Sequence, residues 1–310
     1  MAPEGGMTAR ASGRARGGAG AFEAFAKRAL PGLEESLAAA LPAPDPRAPA
    51  LRAALEAALL SPGKRLRPLV ALAAGELTRA PKGAAQAVAV AVEMLHAASL
   101  VLDDLPSMDD ARRRRGRPTV HLLHGVASAE LAAVALLSRA FEIVAAAPGV
   151  SPAARARLVA ELSRAVGAEG CCAGQSADLS ADPTRLRLDD LEAIHARKTG
   201  ALFVAAVRGG AIAGHASESA LGALTLFARN LGLAFQITDD LLDFSGDPEE
   251  MGKDVHRDAH RANFATLLGP DSARRLAQEL LETAVEALSA FGAKGATLAD
   301  LARVVGDRRR

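Results

Sequence analysis

The segment Asp103-Asp104-Leu105-Pro106-Ser107-Met108-Asp109-Asp110 follows an apolar run from Val88 to Leu102 and places four carboxylates at its end. The apolar residues recur at helical spacing, so the run predicts a buried helix that stops where Pro106 begins a loop. Carboxylates there are costly unless a cation compensates them. Hard oxygen ligands suit Mg²⁺, which often joins protein carboxylates to substrate phosphates. The alternative interpretation is a solvated acidic loop.

A second acidic segment, Gln236-Ile237-Thr238-Asp239-Asp240-Leu241-Leu242-Asp243, lies on another apolar stretch. Asp239 and Asp243 are four residues apart and share a helix face, with Gln236 one turn earlier on the same stripe. Like charges at this spacing repel unless a cation lies between them. One such cluster is compatible with a solvated helix face. Two clusters, each on an apolar helix, indicate a multi-metal site with facing carboxylates.

Basic residues accompany the acidic clusters. Gly63-Lys64-Arg65-Leu66-Arg67-Pro68 presents three cations beside a glycine, and Arg112 to Arg115 follow the first cluster. Guanidinium groups match phosphate oxygens well. A nucleic-acid site favours stacking aromatics between the basic residues, and these segments lack them. We therefore predict a small polyphosphate held through metal and no nucleic-acid partner, although the Arg run alone is also compatible with a solvated surface.

The composition favours an all-α protein. Of the 310 residues, 50% are hydrophobic and 3% aromatic, and strong helix formers fill nearly every segment. Clusters of Pro and Gly separate helices of about 12 to 25 residues, and none is long enough to mark a domain boundary. Residues 1–20 are rich in Gly, Ala and Arg, and this composition predicts a disordered leader. We expect residues 21–310 to form a single domain.

Charge and cysteine usage bear on partners and location. A net charge of +1 argues against a global nucleic-acid or membrane field. No uncharged run reaches the ~18 residues that a bilayer requires, so no membrane span is predicted. The two cysteines, Cys171 and Cys172, are adjacent, which suits neither a normal disulfide nor a zinc site. We expect reduced thiols in a cytoplasmic protein.

Seven segments, taken in order, resemble the motifs of the trans-isoprenyl diphosphate synthase family, with bacterial geranylgeranyl diphosphate synthases the most similar members. The GKRxRP motif corresponds to residues 63–68, DDxxxxD to 103–109 and RRGxPT to 114–119. GQxxD corresponds to 174–178, KTG to 198–200, FQxxDDxxD to 235–243 and the following segment to Gly252-Lys253-Asp254. Single motifs of this kind are weak, whereas seven in order over about 200 residues are strong.

The resemblance implies an isoprenoid-synthase fold, all-α, with ten or more helices around a central cavity, usually in a homodimer. It implies condensation of an allylic diphosphate with isopentenyl diphosphate, and Mg²⁺ held by Asp103, Asp109 and Asp239 with Asp104, Asp240 and Asp243 in support. The residues implied to hold the allylic diphosphate are Arg114, Lys198 and Lys253. Those implied to hold isopentenyl diphosphate are Lys64, Arg67, His96 and Arg115. Lys198, Thr199 and Gln236 are the implied catalytic residues, with Thr199 and the Gln236 oxygen stabilising the allylic cation.

The resemblance also bears on product length. In the family, the fifth residue before the first acidic motif gates the tail pocket, and here it is Ala98, followed by Ser99. Short farnesyl-producing members usually carry an aromatic there. Alanine removes that floor, so a C20 product, geranylgeranyl diphosphate, is expected, with Met94 and Leu95 forming the new floor. Farnesyl and C25 or longer products stay open.

Two other interpretations compete with a chain-elongating enzyme. A non-catalytic partner subunit of a heteromeric prenyl transferase usually loses the acidic carboxylates, and this chain keeps both sets. A terpene cyclase generally lacks the paired acidic motifs together with GKRxRP. The final Arg308-Arg309-Arg310 suits either a cap over the active site or a solvated end.

Overall fold

The computed structural model describes residues 20–245 and 263–307. The predicted leader, apart from Gly20, lies outside the described residues. So do Lys253 with its motif and the terminal Arg308 to Arg310. The proposed bounds of the leader and of the single domain stay predictions.

The described residues form fourteen α-helices, which confirms the all-α class and the expected number of helices. The first seven are α1 Ala21–Ala40, α2 Pro49–Leu59, α3 Leu66–Leu77, α4 Lys82–Asp103, α5 Val120–His124, α6 Val126–Ala145 and α7 Pro152–Val166. The others are α8 Cys171–Ser180, α9 Leu188–His195, α10 Ala201–Ala213, α11 Glu218–Ser245, α12 Phe264–Leu268, α13 Pro270–Ala287 and α14 Ala296–Gly306. A π-helical turn, Ala196–Gly200, joins α9 to α10, and a 3₁₀ segment, Ser289–Gly295, precedes α14.

Helix α10 lies at the centre of the fold and packs against α3, α4, α7 and α11. Most of its residues are buried, as expected of a helix whose sequence is apolar apart from Arg208. A Cβ atom at Gly210 would lie 2.2 Å from the Ala71 carbonyl oxygen, so glycine is needed for α3 to approach so closely. The three helices that carry Arg67, Asp103 and Asp239 are thereby gathered around one central helix.

A short β-hairpin follows the first acidic segment. Strands β1 Arg113–Arg114 and β2 Arg117–Pro118 are antiparallel, with Arg114 opposite Arg117. The two turn residues, Arg115 and Gly116, both have positive φ, 53° and 76°. Two such residues in a two-residue loop are typical of the type I′ turn that matches strand twist. The hairpin projects a row of arginines beside the end of α4.

Within residues 20–245 and 263–307, two helices are long and apolar enough to cross a membrane by length and composition alone, α4 and residues Glu218–Phe244 of α11. A helix in a protein core passes the same test, and 67% of the apolar window of α4 is buried inside the protein. The expectation that the chain has no membrane span therefore stays a prediction.

Candidate active site

The first acidic segment folds back onto the end of α4. The Asp109 N–H donates to the Asp103 carbonyl at 2.9 Å, and the Ala111 N–H donates to the Asp104 carbonyl at 3.1 Å. These bonds satisfy carbonyl groups that the last turn of a helix leaves without partners. The loop that begins at Pro106 thus brings the backbone of Asp109 back to that of Asp103.

The two adjacent carboxylates at the end of α4 have different surroundings. Burial raises the pKa of Asp103 to about 6; Lys198 opposes this shift, and repulsion from Asp109 adds to it. Asp104 is only 3% exposed, accepts a hydrogen bond from Arg114 Nε at 2.8 Å and forms an ion pair with Arg114 Nη2 at 2.7 Å. Burial raises the pKa of Asp104, and Arg114 acts against that shift. Arg114, predicted to hold diphosphate, is therefore already paired with Asp104.

The second acidic segment contains a chain of hydrogen bonds between helices. The Thr199 hydroxyl donates to Gln236 Oε1 at 2.8 Å, and Gln236 Nε2 donates to Asp240 Oδ1 at 2.8 Å. The Phe264 N–H at the start of α12 donates to Asp240 Oδ2 at 3.0 Å. Burial raises the pKa of Asp240 to about 6, whereas these two donors act to lower it.

The KTG motif lies in the π-helical turn Ala196–Gly200, and such turns occur frequently at functional sites. Lys198 Nζ contacts Asp178 Oδ2 at 2.5 Å, an ion pair that ties the turn to α8. A Cβ atom at Gly174 would lie 2.2 Å from the Lys198 backbone nitrogen, so only glycine permits this approach. The predicted catalytic pair, Lys198 and Thr199, is thus held between α8 and α11.

Arg67 and His96, both predicted to hold isopentenyl diphosphate, lie side by side. Arg67 Nη1 is 3.3 Å from His96 Nε2, and its guanidinium carbon lies 4.6 Å from the Phe203 ring centre and 5.7 Å from that of Phe235. Burial and, next, the neighbouring Arg67 hold the pKa of His96 well below 6.5. A neutral imidazole thus accompanies a guanidinium cation that the two aromatic rings support.

Arg65 differs from the other cations of its motif. Its side chain is 2% exposed and reaches Glu93 at 2.6 Å and Glu34 at 2.8 Å, as well as the carbonyls of Leu59 and Ser61. The interpretation of three cations presented to a ligand is therefore wrong for Arg65, because a left-handed backbone, φ 47°, turns it into the interior. The motif presents Lys64, which is exposed, and Arg67.

The GKRxRP loop and the arginine hairpin are in direct contact. Arg115 Nη1 donates to the Pro62 carbonyl at 3.0 Å. A Cβ atom at Gly63 would lie 2.4 Å from that same Nη1 atom. Glycine at this position therefore lets Arg115 lie against the loop that carries Lys64, and these two predicted ligands of isopentenyl diphosphate come together.

The arrangement suits a metal ion that arrives with a diphosphate. Among residues 20–245 and 263–307, no group of three or more His, Cys, Asp or Glu side chains is placed to hold an ion. Mg²⁺ usually keeps several waters and binds through one or two carboxylates and the substrate phosphates. Asp103 with Asp109, and Asp239 with Asp243, each offer a partial set of this kind. The donor atoms therefore fit Mg²⁺ together with diphosphate oxygens.

The residues predicted to set product length lie in the wall of α4. Ala98 and Met94 are fully buried, Leu95 is almost so, and Ser99 is half-buried. The Ser99 hydroxyl donates to the His96 carbonyl at 2.9 Å, so its polar group is satisfied within the helix. Their role in chain length stays a prediction.

Three contributions to this site lay outside the predicted set of residues. Asp178 holds Lys198, and it closes the GQxxD motif, so its type and position were visible in the sequence. Glu93 holds Arg65 and is the lone acidic residue of α4 before Asp103. The Phe264 N–H, which holds Asp240, is a backbone group that no sequence pattern indicates.

Comparison with known proteins identifies relatives of this chain. Residues 48–288 match the family model described as Polyprenyl synthetase. A farnesyl diphosphate synthase from Haemophilus influenzae is 42% identical over 230 residues, 73% of this chain and 78% of the relative. A geranylgeranyl diphosphate synthase from Pantoea ananas is 43% identical over 235 residues, 74% of this chain and 76% of the relative.

A solved structure gives the same answer for the fold. The geranyltransferase from Helicobacter pylori, crystallised with magnesium and isoprenyl diphosphate, has a TM-score of 0.81 and 29% identity. The match covers 92% of this chain and 96% of that one. The chain therefore belongs to the polyprenyl synthetase family of chain-elongating prenyl transferases, as the order of its motifs predicted.

Proposed function

We propose that this protein condenses an allylic diphosphate with isopentenyl diphosphate in a Mg²⁺-dependent reaction whose main product is geranylgeranyl diphosphate. The observation that carries the proposal is the meeting of complementary charges around α10. Partial carboxylate sets at Asp103 and Asp239 lie on two of its neighbours, and Arg67 lies on a third. The magnesium and isoprenyl diphosphate in the Helicobacter pylori relative support the same chemistry.

The chemistry requires a poor leaving group to depart from carbon. When bound, Mg²⁺ neutralises the diphosphate charge without proton transfer. Lys198 adds positive charge beside Asp103. As the carbon–oxygen bond breaks, an allylic cation forms, and the Gln236 oxygen, held by Thr199, is the group proposed to stabilise it.

The second substrate then supplies the electrons for the new bond. Arg67 and neutral His96 hold isopentenyl diphosphate in this proposal, together with Lys64 and Arg115. Its double bond attacks the cation to form a carbon–carbon bond, and the proton lost from the adduct passes to the released diphosphate. The apolar helices around α10 exclude the water that would otherwise quench the cation.

The proposed C20 product rests on Ala98. Its small side chain is fully buried on α4, one turn and a half before Asp103. The named relatives include both farnesyl and geranylgeranyl diphosphate synthases at similar identity, so they do not discriminate between the two products. In this proposal the growing chain passes Ala98, where an aromatic side chain would block it.

We also propose a homodimer formed through α5 and α6. Ala127, Leu131 and Val134 are exposed at helical spacing on α6, and Leu123 is exposed on the adjoining α5. An apolar patch on a protein surface is more often an interaction site than a face that stays in contact with solvent. A second copy of the same chain would bury these residues of both copies at once across a two-fold axis.

Incubation of the purified protein with Mg²⁺, isopentenyl diphosphate and C5, C10 or C15 allylic diphosphates tests the enzyme proposal. Products are dephosphorylated and identified by mass, with EDTA as the metal-free control. A C20 alcohol that EDTA abolishes is the expected result. A C15 or C25 alcohol would keep the reaction and overturn the product assignment. Absence of product with every starter would favour a non-catalytic partner subunit.

A further inference from the structure

Asp240 is placed differently from the other carboxylates of its segment. Its side chain is 6% exposed, and both of its oxygens accept hydrogen bonds from protein groups, Gln236 Nε2 and the Phe264 N–H. Phe264 is fully buried, and its ring lies 5.5 Å from that of His195, so this donor is held by packing. Asp239, by contrast, is only half-buried.

The hydrogen bonds of Asp240 fix the orientation of a neighbouring amide. An ionised carboxylate only accepts hydrogen bonds, so the Gln236 group facing Asp240 must be the NH₂ group. The Gln236 oxygen then points to Thr199, whose hydroxyl donates to it at 2.8 Å. A carbonyl oxygen has two acceptor sites, and one stays available to a developing positive charge.

We propose that Asp240 is a positioning residue that orients the Gln236 amide, with its oxygen towards the reacting allylic carbon, and that it is not a magnesium ligand. The inference rests on the proposed function for the identity of that carbon. It divides the second acidic motif by role: Asp239 and Asp243 face the metal and diphosphate, while Asp240 sets the direction of a dipole.

Asp240→Asn separates the two roles because it changes which atoms can accept. In this variant the amide oxygen at position 240 keeps the bond from the Phe264 N–H, and the new NH₂ group faces Gln236. The Gln236 amide rotates to offer its oxygen to that NH₂ group, which leaves its own nitrogen directed to Thr199. The partial charge near the allylic carbon is thereby reversed in sign.

A charge-conserving exchange restores the original pattern. In the double variant Gln236→Glu with Asp240→Asn, the carboxylate at position 236 accepts from both Thr199 and the new amide at position 240. The amide oxygen at position 240 still accepts from the Phe264 N–H. The hydrogen bonds that link Thr199, residue 236, residue 240 and Phe264 are all retained, although position 240 no longer carries a carboxylate.

Kinetics give the first readout, with Asp239→Asn as the comparison variant for lost metal ligation. We expect Asp240→Asn to lower kcat about 100-fold, the loss typical of one preorganised dipole at a charged transition state. The Mg²⁺ concentration at half-maximal rate should match that of the unaltered protein. Asp239→Asn should raise that concentration, and the double variant should recover at least a tenth of the original kcat.

Binding gives a second readout that needs no turnover. The probes are an allylic diphosphate analogue with an ammonium nitrogen at the reacting carbon and its neutral carbon counterpart, each titrated with Mg²⁺ present. We expect the unaltered protein and the double variant to prefer the ammonium analogue. Asp240→Asn should lose that preference while it binds the neutral analogue with unchanged affinity.

The outcomes distinguish this inference from the proposed function. If the unaltered protein makes no product and binds neither analogue, the proposed function fails. If it does both, but Asp240→Asn raises the Mg²⁺ requirement and keeps the ammonium preference, the positioning role is overturned. Should Asp240→Asn not fold, the double variant decides alone, because the role requires it to fold and to prefer the ammonium analogue.

Discussion

The ion pair between Arg65 and Glu93 gives the sharpest test of how this site is supported. Arg65 Nη1 lies 2.6 Å from Glu93 Oε1, and the two side chains are 2% and 3% exposed. On the surface, Arg28 and Glu76 form a pair of almost equal length, 2.7 Å, with side chains 63% and 62% exposed. The two pairs thus differ mainly in burial.

Burial sets the expected magnitude. Two unit charges 4 Å apart interact by about 1 kcal/mol in water and about 4 kcal/mol at the effective dielectric constant of a protein site. Removing one partner of a buried pair costs about 3–5 kcal/mol, because the other charge stays buried without compensation. Glu34 still contacts Arg65, so Glu93→Gln should cost about 3 kcal/mol in the free energy of unfolding. Glu76→Gln should cost at most about 1 kcal/mol.

Urea denaturation of the three proteins at one fixed concentration measures this difference. A double variant, Arg65→Met with Glu93→Leu, adds a check, because well-packed apolar residues of similar volume often replace a buried pair without loss. The double variant should be more stable than Arg65→Met alone, which strands Glu93, because both variants lose the bonds from Arg65 to the Leu59 and Ser61 carbonyls equally. Equal effects of Glu93→Gln and Glu76→Gln would refute the reasoning.

Three further predictions concern the site, the product and the assembly. Asp103→Asn should stabilise the metal-free protein above pH 6. In the unaltered folded protein the pKa of Asp103 is about 6, above the ordinary 3.8. Ionisation of this carboxyl therefore lowers the stability of the unaltered protein as pH rises from 4 to 6. The gain, at most about 3 kcal/mol, should vanish below pH 4 in urea titrations, and a gain independent of pH would contradict this origin. Ala98→Phe should shift the product towards C15, read by mass, and an unchanged profile in a folded variant would contradict the pocket assignment. Leu131→Glu should yield monomers in light scattering, whereas Leu226→Glu, on an exposed face of α11, should stay dimeric. A dimer retained in Leu131→Glu would argue against α6 as the interface.

Sequence reasoning predicted the fold well where one physical signal dominated. The apolar run before Asp103 predicted a buried helix that stops at the loop containing Pro106, and α4 extends from Lys82 to Asp103. The all-α class followed from composition and from turn residues between periodic segments. The π-helical turn that carries Lys198 was not predicted, because such a turn leaves apolar spacing almost unchanged and has no composition of its own.

The direction of individual charged side chains was harder to predict. Arg65 and Arg67 lie in one motif, yet Arg65 points into the interior to Glu93, and Arg67 points between His96 and Phe203. Backbone conformation decides this difference, and residue type does not reveal it. A lone glutamate within an apolar helix was the available signal, because a buried carboxylate requires a buried cation as its partner.

The two acidic motifs share a division that neither motif reveals alone. In each Asp-Asp pair the first residue, Asp103 or Asp239, is half-buried, and the second, Asp104 or Asp240, is buried. The buried member accepts hydrogen bonds from another element: Asp104 from Arg114 in the hairpin, and Asp240 from the first residue of α12.

This division has a physical cause and a consequence. Successive residues of a helix point about 100° apart, so an adjacent pair on a half-buried helix cannot direct both carboxylates to the same site. One member can meet a metal ion while the other fixes the chain segment that follows the helix. Substitutions at Asp104 and Asp240 should therefore lower activity through the position of the hairpin and of Gln236. Substitutions at Asp103 and Asp239 should act through the Mg²⁺ requirement, so titration of the metal discriminates between the two kinds of residue.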